Sequence, residues 1–201
     1  MLRPVLNLMA AAALTLLAAC TISSPTQLVA PEEAVTPLPA RFVVYGYKQR
    51  SDSAYTRSEE APISFELRDG AYVAADNSMT LRFVALDNNG YLVSVAGNEP
   101  GALYGTAWVK GQIVVVRMML ADDVDVALHK AKAASPPELA ADITDSKDGL
   151  TVTRRETLDQ LVRLIRKGIV PTSPLVAWVT ENPDAPTPTR IIKDTEGWKA
   201  E

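Results

Sequence analysis

One thiol, one imidazole and a scatter of carboxylates carry the nucleophilic and metal-binding chemistry of this 201-residue chain. The thiol is Cys20, placed directly after Leu17-Ala18-Ala19. Before it lie Arg3 and an uncharged stretch, Val5 to Leu16, rich in Ala and Leu. A positive start, a short apolar run and small residues at its end form the layout of a secretory signal. The run is interrupted by Asn7 and falls short of the ~20 apolar residues that a membrane-crossing helix needs. The imidazole is His129, beside Lys130 in a polar stretch, and it reads as a solvent-facing residue. There is no Gly-x-Ser-x-Gly, His-Glu-x-x-His or phosphate-loop pattern, so the common routes to nucleophilic or zinc catalysis have no footing. Asp122, Asp123 and Asp125 offer oxygen ligands but lack the glycine and distal glutamate of a calcium loop, and they read as a solvated acidic loop. No catalytic residue, metal ligand or cofactor is therefore assigned.

Leu17-Ala18-Ala19-Cys20 resembles the lipobox of bacterial lipoproteins. The resemblance covers about the first tenth of the chain. It implies that Cys20 receives a diacylglyceryl group, that a peptidase cuts between Ala19 and Cys20, and that the new amine is acylated, palmitate being a typical acyl chain. It also implies a membrane partner held through lipid. Each buried methylene contributes ~0.8 kcal/mol, and several acyl chains together make attachment effectively permanent. Thr21 is not the Asp that usually retains such proteins in the inner membrane of Gram-negative bacteria. The implied location is the cell envelope, at the outer membrane and facing the periplasm.

The net charge is −4 at pH 7 and the chain has no basic run. That excludes the electrostatic footprint of a nucleic-acid binder. With Cys20 acylated no thiol remains for a disulfide, so the fold must hold by packing.

These features need elements to position them. Residues 1–19 read as a signal peptide, and 20–40, with Pro25, Pro31, Pro37 and Pro39, as a lipidated, Pro-rich tether. Residues 41–170 read as a β-rich domain with a C-terminal helix. Strands are predicted at Phe42–Lys48, Ile63–Leu67, Ala71–Ala74, Thr80–Leu86, Tyr91–Ala96, Leu103–Val109, Gln112–Met118 and Leu150–Val152. Asp69-Gly70, Asn89-Gly90 and Lys110-Gly111 mark hairpin turns whose glycines accept positive φ. A short helix is expected around Val126–Ala134. A stronger one is predicted from about Arg154 to Lys167, with Thr153 and Glu156 as a capping box, Leu158, Leu161, Val162 and Ile165 as its apolar stripe, and Gly168 as its stop. Residues 171–201 read as an irregular, Pro-rich tail with one edge strand at Leu175–Thr180. The fold class is α+β, mainly β: an antiparallel up-and-down meander, open or partly closed into a barrel, with the C-terminal helix packed on it.

Alternation puts Tyr45 with Tyr47, and Tyr104 with Trp108, on common strand faces. Aromatics at such places fill sheet cores, or else present stiff amphipathic surface to a partner. Three functional readings follow. The first is a lipid-anchored envelope protein with a non-catalytic binding or structural role, its partner an envelope protein. The second is a carrier of a small apolar ligand in a barrel-like cup. The third is an envelope hydrolase whose site is assembled only in space.

Overall fold

A computed structural model describes residues 21–87, 90–118, 124–146, 149–195 and 197–201. Residues 1–20, on which the expected signal peptide, Ala19 and Cys20 fall, lie outside the described residues, as do Asn89, Asp122 and Asp123. In chain order the strands are β1 (Thr21–Ser24), β2 (Ala34–Val35), β3 (Arg41–Ser51), β4 (Ala54–Arg57), β5 (Ile63–Arg68), β6 (Ala71–Ala74), β7 (Thr80–Ala85) and β8 (Gly90–Ala96). They continue as β9 (Ala102–Lys110), β10 (Ile113–Met118), β11 (Thr144–Ser146), β12 (Gly149–Thr151), β13 (Ser173–Thr180), β14 (Arg190–Asp194) and β15 (Gly197–Ala200). The helices are α1 (Val124–Ala133), α2 (Pro137–Ala140) and α3 (Arg155–Arg166). The described residues divide into two compact units, one drawn from residues 21–28, 96–105 and 118–173, the other from 29–95, 106–117 and 174–201.

The second unit holds a closed, eight-stranded antiparallel barrel in the order β3-β5-β6-β7-β8-β9-β10-β13 and back to β3. The predicted meander accounts for seven of these eight strands. Asp69 and Gly70 both take positive φ, 49° and 75°, as a tight hairpin between β5 and β6 demands. The face carrying Phe42 is concave. Phe42 on β3 reaches Tyr72 on β6 at 5.2 Å between ring centroids, although β5 lies between them. Strands two apart in a flat sheet are ~9.6 Å apart, so only an inward-curving face brings such rings together. Phe65, Tyr72, Phe83 and Tyr91 extend this chain of ring contacts across β5 to β8. The interior there is filled by aromatic side chains.

The second half of β3 leaves the barrel and pairs with β4, which pairs with β14, and β14 with β15. Tyr45, Tyr47, Tyr55, Ile191 and Trp198 on this extension form one core cluster with Ile113, Val115 and Val176.

In the first unit, β11, β12, β1 and the start of β9 make a four-stranded sheet in that order. The stripe of α3 is buried, with Leu158 and Leu161 fully so. The helix ends as its sequence requires. Gly168 has φ 70°, its N–H donates to Ile165, and the N–H of Ile169 donates to Leu164, both at 2.9 Å.

Several expectations are corrected. Residues 21–40 are not a free tether: Thr21–Ser24 is a strand, Ile22 and Val29 are buried, and Ala34–Val35 pairs with β7. Composition misled there, because few but well-placed apolar residues and backbone pairing order a proline-rich segment. The tail is also ordered: β13 closes the barrel rather than lying at an edge, and β14 and β15 form a hairpin. The capping box is replaced by Asp142. Its carboxylate accepts from the N–H groups of Thr153 and Arg154, at 3.2 and 3.1 Å, and from the Thr153 hydroxyl. A carboxylate at a helix start also suits the dipole. Finally, the N–H of Leu86 donates to the Gly90 carbonyl between β7 and β8, but Gly90 is not in the positive-φ region.

Candidate functional site

The four aromatics singled out from the sequence do not make an open surface. Tyr45, Tyr47 and Tyr104 are buried and Trp108 is half-buried. Their hydroxyls are occupied. Tyr45 donates to the carbonyl of Pro183 at 3.1 Å and Tyr47 to that of Pro188 at 2.5 Å. Between these anchors, Arg57 stacks 4.6 Å from the Tyr45 ring centroid and donates to the Thr187 hydroxyl at 2.7 Å. The Pro-rich stretch 182–189 is thus strapped across the outer face of β3. In the first unit, the Tyr104 hydroxyl accepts from the N–H of Leu28 at 2.7 Å. In the second, Tyr72 both accepts from the N–H of Leu38, at 3.0 Å, and donates to its carbonyl, at 2.6 Å. Aromatic rings fill the core, as the more ordinary of the two readings has it, and their hydroxyls bind irregular backbone. Sequence reasoning did not reach Tyr72 in that role. Its signal, a tyrosine on an inward-facing strand position, needs a hydroxyl partner that only the fold identifies.

A cleft of about 330 Å³ opens beside β3 and β5, lined by Arg41, Val43, Ser64, Glu66, Arg68 and Glu181 among others. Its polar wall is an Arg-Glu-Arg cluster. Arg41 Nη2 lies 2.7 Å from Glu66 Oε1, and Arg68 Nη2 lies 3.0 Å from Glu66 Oε2. Hydrogen bonds from Arg68 and then Arg41 hold the Glu66 carboxyl below its ordinary range. The groups are solvent-exposed and already paired, so the cluster is a screened surface network of modest worth.

The shifts of Tyr47, Tyr55, Tyr72, Asp76 and Asp142 move away from neutrality. Burial, opposed by Arg57, pushes the Tyr47 phenol up to about 12, and burial raises Tyr55 and Tyr72. Asp76 is lowered by the hydroxyl and amide of Ser78. Burial alone would raise Asp142, but its bonds from Thr153 and Arg154 outweigh that and hold it low. A general acid or base works best with a pKa near the working pH, and none of these groups is tuned that way. Among the described residues no three His, Cys, Asp or Glu side chains gather as a metal site, and no helix is long and apolar enough to cross a membrane. His129 is exposed on α1.

The eight-stranded barrel is of the size that holds one small ligand or fills with its own side chains, and so fits the carrier reading in outline. Comparison with protein-family models, with curated proteins and with solved structures gives no match.

Proposed function

We propose that this is a lipid-anchored protein of the bacterial cell envelope with a non-catalytic binding or structural role. The observation that carries the reading is the place of Cys20. It ends an apolar leader and immediately precedes the first strand of the folded domain, Thr21–Ser24. A leader that continued into the fold would be a hydrophobic burden, whereas cleavage before Cys20 removes it and leaves the lipid-bearing residue at the domain's start. The protein's partners are the membrane, through lipid, and a component of the envelope.

The test is Cys20→Ser. The variant should accumulate as a longer, unlipidated precursor that neither incorporates palmitate nor partitions into detergent. Continued acylation of the variant would sink the anchor. A second reading, carriage of a small apolar ligand, is favoured by the closed barrel. Its aromatic filling from β3 to β8 weighs against a large cup. Extraction and mass analysis of the purified protein distinguishes the two: a stoichiometric apolar compound besides the acyl chains would favour the carrier.

A further inference from the structure

The strand that follows Cys20 is locked on both sides. In the first unit Thr21, Ile22 and Ser23 pair in parallel with Gly149, Leu150 and Thr151 of β12, while Ile22, Ser23 and Ser24 pair antiparallel with Tyr104, Leu103 and Ala102 of β9. Ile22 is 1% exposed. The Ser23 carbonyl accepts from the N–H of Val152 at 3.0 Å, and its hydroxyl lies 2.9 Å from that of Thr151. Further along, the backbone of Leu28 is tied at both ends: Tyr104 accepts its N–H and Arg155 donates to its carbonyl at 3.1 Å. Gly101 then comes so near that a Cβ built on it would lie 2.5 Å from the Ser24 carbonyl oxygen. Pulling β1 out as a linker would bare a buried isoleucine and orphan backbone groups on two neighbouring strands.

We propose that the domain is held directly against the lipid headgroups, with no spacer between the acylated residue and β1. The inference rests on acylation of Cys20. Consecutive Cα atoms are ~3.8 Å apart, so the lipid-bearing residue lies one step from an interior strand. A free twenty-residue coil would allow ~25 Å of travel. The locked strand allows almost none. The domain therefore stays at the membrane surface, and the protein meets its partners there rather than by reaching into the periplasm.

Neutron reflectometry of the acylated full-length product, reconstituted in a supported phosphatidylethanolamine–phosphatidylglycerol bilayer, tests this. The comparison is a variant with twenty Gly and Ser residues inserted between Cys20 and Thr21. The native protein should abut the headgroups without a hydrated gap, and the insertion should open one of roughly 25 Å. The same profile in both proteins, with or without a gap, overturns the inference. Amide exchange on the bilayer-bound native protein gives an independent reading: Ile22 and Val152 should exchange slowly, and fast exchange at both would mean that β1 comes free. A chain that incorporates no palmitate and stays off the bilayer defeats the anchor itself, an outcome distinct from an acylated protein standing clear of the membrane.

Discussion

The barrel meander and the two proline-rich segments that flank it are ordered by different physics. From Arg41 to Met118 every strand but β4 is specified locally, by β-branched and aromatic residues and by turn glycines, and its hydrogen-bond partner is usually the next strand along. Residues 21–40 and 182–189 have no periodicity to specify anything. They are held by groups far away in sequence: Leu28 by Tyr104, Leu38 by Tyr72, Pro183 by Tyr45 and Pro188 by Tyr47. The rings of these tyrosines pack in cores made by the regular strands, and their hydroxyls supply the donors and acceptors that irregular backbone lacks. Local pattern builds the barrel, and tyrosine hydroxyls then fasten the rest of the chain.

The largest effects should come from apolar burial, which no hydroxyl can replace. Leu161 is fully buried in the stripe of α3, so Leu161→Ala should destabilise by about 2–5 kcal/mol in denaturant titration, whereas the exposed Arg163→Ala should change little. Equal losses would mean that the stripe faces no core.

Next come the backbone positions where the flanking segments press on the regular strands. Gly101 has φ 104°, and an added Cβ would meet the Ser24 carbonyl at 2.5 Å. Gly101→Ala should therefore cost about 1–3 kcal/mol, read as a fall in Tm. Gly90→Ala should cost much less, because its φ is ordinary and its nearest contact would be 3.4 Å. If the two glycines behave alike, the close approach of Ser24 to Gly101 is not maintained in solution.

The same division explains what was legible in the sequence. The predicted strands from 42 to 118 lie within a few residues of β3 and β5 to β10, since alternation and Asp-Gly or Lys-Gly turns are local signals. The end of α3 at Gly168 was equally plain. Its start lies within a residue of the expected one, but the cap does not, because the capping carboxylate, Asp142, is far from Thr153 in sequence. β1, β2, β4, β11, β14 and β15 are two to five residues long and take their shape from pairing, so composition hid them. The aromatic site suffered likewise: Tyr45 and Tyr47 were visible as a pair, but the strap that covers them carries only prolines and small residues.

The fastening role can be tested without disturbing the core. Tyr72→Phe keeps the ring and removes the hydroxyl that serves both the N–H and the carbonyl of buried Leu38, so a loss of about 1–3 kcal/mol is expected, with faster amide exchange at Leu38. Tyr45→Phe leaves one partly buried carbonyl unpaired and should cost roughly 0.5–1.5 kcal/mol. A greater loss for Tyr45 than for Tyr72 would reverse the proposed hierarchy.

The smallest effect near neutral pH, and the sharpest test of a single fastener, is the alkaline behaviour of Tyr47. Its phenol is pushed up to about 12 from 10.0 by burial, with Arg57 opposing. The folded-state value exceeds the unfolded one, so the contribution is complete below about 10 and is lost as pH rises through about 12. The neutral form is also the form that donates to Pro188, so ionisation removes the strap's anchor as well as charging a buried site. Stability measured from pH 8 to 12 should be flat at first and then fall above about 10, and Tyr47→Phe should flatten that fall while lowering stability slightly at pH 8. If the variant follows the native curve throughout, Tyr47 is not a buried donor, and the strap over β3 is held by Tyr45 and Arg57 alone.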